Sequence, residues 1–305
     1  MKKILKVMLI ISLVILSKKV YALECDNNFY ENKRGIKMTC EQVKNLENLG
    51  FTDYEITYID NDLFEANKNL KGIVLSSTTK YYKILTRYTG EKQLAVDANL
   101  ITYSQEITKE EYEKGIPALT TYGLVEDPVS TEYKLMTTTI INPGNGNYRY
   151  KNTVKWKKLP NITSYDIIGI GIEDAKVYPV ISSQVIRATF SYDKNNACYE
   201  TTTSTGTWSK SATGYAVKFK LPYTGGYMAW TGLNVYMYFD VAKQSASNTI
   251  NVLNAYGDYR HATSNFTNTT FSFGVSAIGI SISGTYNSKY DDISTSQATL
   301  TGINW

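Results

Sequence analysis

The sequence has 305 residues, and its 32 basic side chains are nearly balanced by 28 acidic side chains. Five of the lysines lie within residues 1–22, so the rest of the chain carries 27 basic and 28 acidic residues. That balance argues against a nucleic-acid partner, because binding to a phosphate backbone needs an excess of positive charge. The single histidine and three cysteines show no Cys-x-x-Cys or His-x-x-x-His spacing, so we expect neither a metal site nor another cofactor.

Residues 1–22 have the pattern of a cleaved signal peptide. A basic start is followed by an apolar run from Val7 to Leu16, and Val20 and Ala22 then fit the small-residue preference of signal peptidase. The apolar run is about half of the roughly 20 residues that a membrane-spanning helix needs. We therefore expect a secreted or cell-surface protein that starts near Leu23 and has no membrane contact apart from this leader.

The three cysteines are Cys25, Cys40 and Cys198. In an oxidising compartment Cys25 and Cys40 are the favoured disulfide pair, and closing a loop of that size contributes about 3 kcal/mol in the chain-entropy model. Cys198 is then an unpaired thiol. A long-range Cys40–Cys198 bridge and three reduced cysteines are the alternatives.

Residues 23–72 are predicted to form a small helical module. Thr39 with Gln42 and Thr52 with Glu55 are capping boxes, and Asp60 is a third helix cap. Apolar residues at helical spacing mark the faces that should be buried. These residues are Val43, Leu46, Leu49, Ile56, Ile59, Leu63 and Phe64.

After Gly72 the composition shifts to Tyr, Thr, Val, Ile and Ser, which favour β-strands. Residues 73–129 are predicted as a β-rich connecting subdomain with one short helix that starts at Thr108. Residues 130–305 are predicted as an antiparallel β-sandwich, because alternating strands follow one another without long helical crossovers. The turn at 142–147, rich in Asn and Gly, predicts a hairpin.

The candidate ligand-binding site is the polar segment near the end of one predicted strand. Tyr256, Asp258, Tyr259, Arg260 and His261 bring more recognition chemistry together than any other segment. No Gly-x-Ser-x-Gly motif marks a nucleophile to work with the histidine. We therefore assign no catalytic residue.

Residues 270–286 form a second segment of interest. Apolar residues alternate there with Ser and Gly, and the alternation changes phase near Ala277. The pattern resembles the membrane-inserting hairpin of β-pore-forming toxins. However, each strand has about seven residues, fewer than the 9–11 that crossing a bilayer requires. We expect Phe271, Phe273 and Val275 to line the core of the sandwich instead.

These features favour a mainly β, secreted or cell-surface protein that acts by binding rather than catalysis. The 26 tyrosines suit a recognition surface, because each has an apolar ring and a hydrogen-bonding hydroxyl. A glycan, cell-wall material or another surface protein is the expected partner. The alternatives are a membrane-active, pore-forming-like protein and a secreted hydrolase that uses two carboxylates. The carboxylates considered for that hydrolase are Asp166, Glu173, Asp174 and Asp240.

Overall fold

The computed structural model describes residues 23, 28–89, 99–115, 130–157, 160, 162–194, 197–221, 229–263, 272–283, 290–291 and 295–305. The chain divides into two compact units, Met1–Lys71 and Gly72–Trp305. The signal peptide predicted for residues 1–22 and Cys25 lie outside the described residues. The export signal and the Cys25–Cys40 disulfide therefore stay predictions.

The described part of the first unit contains β1 (Phe29–Glu31), β2 (Lys37–Thr39), α1 (Cys40–Asn48), α2 (Asp53–Tyr58) and α3 (Asn61–Asn67). The helices begin at the expected caps. The Thr39 hydroxyl accepts a hydrogen bond from the Gln42 backbone N–H at 3.2 Å, and the Gln42 side chain accepts one from the Thr39 N–H at 2.9 Å. Thr52 and Glu55 repeat this exchange at α2. Each cap satisfies a backbone donor that the helix itself leaves unpaired, which fixes where the helix starts.

The apolar faces of these helices are buried as their spacing predicts. The buried side chains include Val43, Leu46, Leu49, Ile56, Ile59, Leu63 and Phe64. At α3, Asp60 accepts a hydrogen bond from the Leu63 N–H at 3.0 Å. Local sequence signals thus account for both the starts and the orientations of the three helices.

The second unit is mostly antiparallel β-structure in several sheets. It also contains the helix α4 (Lys109–Lys114), capped by the predicted Thr108–Glu111 box. Its strands in chain order are β3 (Ile73–Thr89), β4 (Asn99–Ile107), β5 (Ser130–Asn142), β6 (Tyr148–Trp156), β7 (Tyr165–Ile172), β8 (Val177–Pro179), β9 (Val185–Lys194), β10 (Ala197–Thr203), β11 (Thr207–Ser211), β12 (Gly214–Lys220), β13 (Ala229–Lys243), β14 (Val252–Arg260), β15 (Phe273–Ser276), β16 (Gly279–Ile282) and β17 (Ser296–Thr301).

Two sheets dominate the described part of this unit. The large sheet has the strand order β10-β9-β13-β6-β5-β3-β4, and β8 also pairs with β13. The small sheet has the order β11-β12-β7-β14-β17, while β15 and β16 form a separate hairpin. Strands β3 and β4, from the predicted connecting subdomain, belong to the same sheet as β5 and β6.

The β5–β6 connection confirms the hairpin predicted from its turn residues. The two strands pair antiparallel, with Ile141 opposite Arg149. Gly144 and Gly146 have φ values of 82° and 85°, a left-handed conformation that glycine adopts without steric penalty. The Asn142 side chain accepts a hydrogen bond from the Gly144 N–H at 2.8 Å and closes the turn.

One main core draws side chains from both sheets. In β13, Val235, Met237 and Phe239 are fully buried and alternate with polar or tyrosine residues. In β7, Ile168 and Ile170 belong to the same core cluster. We call the face of each sheet that contributes to this core the inner face, and the opposite one the outer face. Because side chains alternate along a strand, residues 167, 169 and 171 of β7 lie on the outer face.

The β15–β16 hairpin lies on that outer face of the small sheet. Val275 and Ile280 belong to a second apolar cluster that includes Ile167, and Phe273 packs against it. The expectation that Phe273 and Val275 line the main core is therefore wrong, and Phe271 lies outside the described residues. Alternation predicts which side chains share a face of the hairpin, but not which surface that face covers.

Candidate functional site

The five residues predicted as a ligand site lie along β14 or directly after it. Tyr256, Asp258 and Arg260 belong to the outer face of the small sheet, whereas Tyr259 lies in the main core. His261 follows the strand and is only 2% exposed. The structure therefore divides the predicted site among three surroundings: an open outer surface, a covered outer position and a buried inner cluster.

The open surface carries a hydrogen-bonded network that we call the polar face: Glu173, Asn254, Tyr256, Gln297 and Thr299. Glu173 directly follows β7, and its Oε2 accepts hydrogen bonds from the Tyr256 hydroxyl at 2.6 Å and the Asn254 amide at 3.0 Å. Gln297 and Thr299 of β17 lie opposite Tyr256 and Asn254. Asn254 Oδ1 accepts hydrogen bonds from the Gln297 amide at 3.3 Å and from the Thr299 hydroxyl at 2.8 Å.

The polar face is ordered by its own hydrogen bonds and is also open to solvent. Glu173, Gln297 and Thr299 are exposed, and Asn254 and Tyr256 are half-buried. Partial burial, together with the hydrogen bond and negative charge of Glu173, raises the pKa of Tyr256 to about 12. The phenol therefore keeps its proton at neutral pH and remains a hydrogen-bond donor.

Asp258 occupies the covered outer position beneath the hairpin. Its Oδ2 accepts hydrogen bonds from Arg260 Nε at 3.2 Å, from Arg260 Nη2 at 3.1 Å and from the Ile280 backbone N–H at 2.8 Å. Burial raises the pKa of Asp258, and the guanidinium and these hydrogen bonds only partly oppose that effect. Asp258 thus links β14 to the hairpin and is shielded from solvent.

The inner cluster begins with Asp166 of β7. His261 Nδ1 lies 3.1 Å from both carboxylate oxygens of Asp166, and the Tyr259 hydroxyl donates a hydrogen bond to the same carboxylate. The Ala262 backbone N–H donates another at 3.1 Å. Burial and the neighbouring Asp166 charge raise the pKa of Tyr259 well above its ordinary value.

A second carboxylate extends this cluster to the large sheet. Lys134 of β5 places its Nζ 2.6 Å from Asp291 Oδ2, and both side chains are fully buried. Asp291 Oδ1 accepts the His261 backbone N–H at 2.7 Å, and the Ser104 hydroxyl donates to Asp291 Oδ2 at 2.8 Å. Burial alone would raise the pKa of Asp291, but the charges of Lys134 and His261 and the hydrogen bonds that these two residues donate outweigh burial and lower it.

Aromatic rings enclose this inner cluster. The Lys134 ammonium lies 5.0 Å from the Trp156 ring centre and 5.2 Å from that of Tyr259. The His261 ring packs against the Trp156 ring at 4.9 Å. An Asp–His pair is catalytic where a nucleophile and a substrate can reach it, whereas this pair is buried between the sheets. The geometry instead suits a structural role, in which Asp291 connects Lys134 of the large sheet to His261 at the end of β14.

The four carboxylates considered for a hydrolase do not converge. Asp166 is buried on the inner face of the small sheet, and Glu173 is exposed on the polar face. Asp240, on the outer face of the large sheet, pairs with Arg149 at 2.7 Å. Asp174 accepts a hydrogen bond from the Lys176 N–H at 2.8 Å, in the turn after β7. They belong to different surfaces of the described structure.

Tyr256 was predicted as a site residue, but its partners Asn254, Gln297 and Thr299 were not. The alternation of Gln297 and Thr299 with the buried Ala298 is the signal that would have placed them on a solvent-facing strand. Lys134 and Asp291 left no comparable signal, because they are far from β14 in the sequence and meet it only through the fold.

Among the described residues, no group of three or more His, Cys, Asp and Glu side chains is arranged to hold a metal ion. No helix in this part of the chain combines the length and apolar character needed to cross a membrane. No protein-family model matches the chain, and no curated protein is similar to it.

Proposed function

We propose that this is an exported β-sandwich protein with an N-terminal helical module, and that it acts by binding rather than by catalysis. The polar face is the proposed recognition surface, and an extracellular or cell-wall glycan is the proposed ligand. The observation that carries this proposal is the network of Glu173, Asn254 and Tyr256 on an open sheet surface. The pattern of residues 1–22 supports export.

The chemistry of the polar face matches that of a sugar. Sugar hydroxyls both donate and accept hydrogen bonds, and the polar face offers carboxylate, amide, phenol and hydroxyl groups within one surface. The Tyr256 ring adds an apolar surface against which a sugar ring can stack. Because the side chains already hold one another in place, binding would order few further rotamers, and the entropic penalty would be small.

The test is a glycan-array screen followed by titration of the best ligand. Glu173→Gln should weaken binding about tenfold or more, because a hydrogen bond to a charged group contributes about 1.5–3 kcal/mol. The matched control is Tyr178→Phe, at a tyrosine that is 40% exposed elsewhere on the same unit, and it should bind as the unaltered protein does. Equal affinity of Glu173→Gln and the unaltered protein would overturn the proposed site.

A further inference from the structure

The Lys134–Asp291 pair brings an amine and a carboxylate together where water does not reach them. Lys134 Nζ lies 2.6 Å from Asp291 Oδ2, and both side chains are fully buried. The rings of Tyr82, Trp156 and Tyr259 have their centres 5.9, 5.0 and 5.2 Å from the ammonium. Keeping two charges out of water carries a desolvation cost. A reaction that removes both charges would relieve that cost.

Both partners are held in place by the backbone. Lys134 lies within β5, which is hydrogen-bonded to β3 on one side and to β6 on the other. The Asp291 N–H donates to the His261 carbonyl at 2.9 Å, which fixes Asp291 at the end of β14. An amine bonded to one oxygen of a carboxylate is also close to its carbon, near the roughly 3–3.5 Å of a near-attack geometry. Lys134 Nζ is therefore in a position to react with Asp291 Cγ.

Two hydrogen-bond donors serve the two oxygens of Asp291. The His261 backbone N–H lies 2.7 Å from Oδ1, and the Ser104 hydroxyl lies 2.8 Å from Oδ2. A donor at Oδ1 stabilises the negative charge that develops there when an amine adds to the carboxyl carbon. A donor at Oδ2 assists the departure of that oxygen. Asp166 holds the first donor in place, because it accepts the Ala262 N–H at 3.1 Å and pairs with the His261 ring.

We propose that Lys134 and Asp291 condense without an enzyme to form an isopeptide bond between β5 of the large sheet and the segment paired with the end of β14. One ammonium proton passes to Asp291 Oδ2, which gives a neutral amine and a neutral carboxylic acid. Lys134 Nζ then bonds to Asp291 Cγ, and the bond between Cγ and Oδ2 breaks. Oδ2 leaves as water with a second proton from the amine. The step needs no oxidant, reductant or cofactor.

The fold supplies what free amines and acids in water lack. Well-oriented partners within one molecule react as if their concentration were on the order of 10⁵–10⁸ M, which offsets the competition from water. The product is a neutral amide in place of two buried charges. The ionised pair is the unlinked state, and its charges govern stability and titration until the bond forms. This reaction is independent of glycan recognition, because it takes place between the sheets and not on the polar face.

The bond would act as a covalent staple within the Gly72–Trp305 unit. It closes a loop from residue 134 to residue 291, and such a loop restricts the unfolded chain as a disulfide does. Reductants do not cleave an amide, so this staple would persist where a disulfide is lost.

Intact mass spectrometry of the purified full chain, reduced and denatured, tests the proposal. The unaltered protein should be lighter than its sequence predicts by the mass of one water molecule. Lys134→Met should have the full mass of its sequence, because no amine remains to react. The control Lys109→Met alters an exposed lysine, paired with Glu113 at 3.6 Å, and should still lack one water. A full mass for the unaltered protein, or a missing water in Lys134→Met, would overturn the proposal.

A second measurement locates the bond in the unaltered protein, so it does not depend on whether Lys134→Met folds. Trypsin does not cleave after a lysine whose amine is acylated. Digestion should therefore yield a branched peptide in which residues 115–149 are joined to residues 290–305. Tandem mass spectrometry should place the junction at Lys134 and Asp291. Cleavage after Lys134 in all of the protein would show that the two side chains remain an ion pair, whatever the glycan screen finds.

Discussion

Asp291 is the residue at which burial and charge oppose each other most directly. Its carboxylate is 2.6 Å from the Lys134 ammonium, and neither side chain is exposed. Asp291→Asn would leave a buried ammonium without its counter-ion, so we expect the free energy of unfolding to fall by about 3–5 kcal/mol. Urea denaturation measures the loss.

The control is Glu113→Gln, which removes the partner of Lys109 in an exposed pair at 3.6 Å. That pair should contribute less than about 1 kcal/mol. Similar losses in Asp291→Asn and Glu113→Gln would contradict the role assigned to the buried pair.

The pH dependence of unfolding separates two buried carboxylates. The lowered pKa of Asp291 stabilises the fold above its unfolded-state pKa of about 3.9, and this stability is lost as the pH falls through the folded-state pKa. Asp291→Asn should therefore lose less stability on acidification than the unaltered protein.

The raised pKa of Asp258 has the opposite effect on stability as the pH falls, because the folded state takes up the Asp258 proton at a higher pH than the unfolded state does. Asp258→Asn should make the acid-induced loss of stability steeper.

At the level of the residue, only some of the site could be predicted. The segment from Tyr256 to His261 is chemically rich, and this is visible in the sequence. The assignment of its side chains to the inner or the outer face follows from the two-residue period of a strand. The segments that cover these side chains could not be predicted, because the contacts of Asp258 with Ile280 and of His261 with Asp291 are set by tertiary structure.

At the level of the element, Gly171 of β7 tests how closely the β15–β16 hairpin packs on the small sheet, because a Cβ there would lie 2.5 Å from backbone oxygens of the hairpin. Gly171→Ala places a Cβ against the hairpin backbone, and we expect amide hydrogen exchange of residues 272–283 to rise at least tenfold. Gly232→Ala is the control, because a Cβ there meets its nearest atoms at 3.9 Å, an ordinary contact. Overpacking typically destabilises by about 1–3 kcal/mol. Unchanged exchange in Gly171→Ala would show that the position of the hairpin does not require glycine at residue 171.

Helix starts and tight turns could be predicted, because they depend on residues that are neighbours in the sequence. The caps at Thr39, Thr52 and Thr108 mark the starts of their helices, and the glycines of the 142–147 turn specify a hairpin. The location of the β15–β16 hairpin was not predictable. The same apolar alternation suits the main core, an outer cluster or a bilayer, and the sequence does not distinguish these apolar surroundings.

At the level of the whole molecule, the antiparallel β-structure follows from alternating strands joined by short turns. The common core of the two sheets depends on pairings between distant segments, such as β7 with β14.

The predicted signal peptide also concerns the whole molecule, because its removal would set where the mature chain begins. Mass spectrometry of protein collected outside the producing cell should find a chain that starts near Leu23. An intact Met1 would contradict the prediction.

The close approach of the hairpin to β7 also bears on how the sequence can vary. A Cβ atom on Gly171 would lie 2.5 Å from the backbone oxygens of Ser276 and Ala277, and one on Gly169 would lie 2.8 Å from Ile280 Cγ1. Backbone atoms cannot move aside as the end of a flexible side chain can. In any related chain that keeps this hairpin, Gly171 should therefore be the position of β7 that varies least.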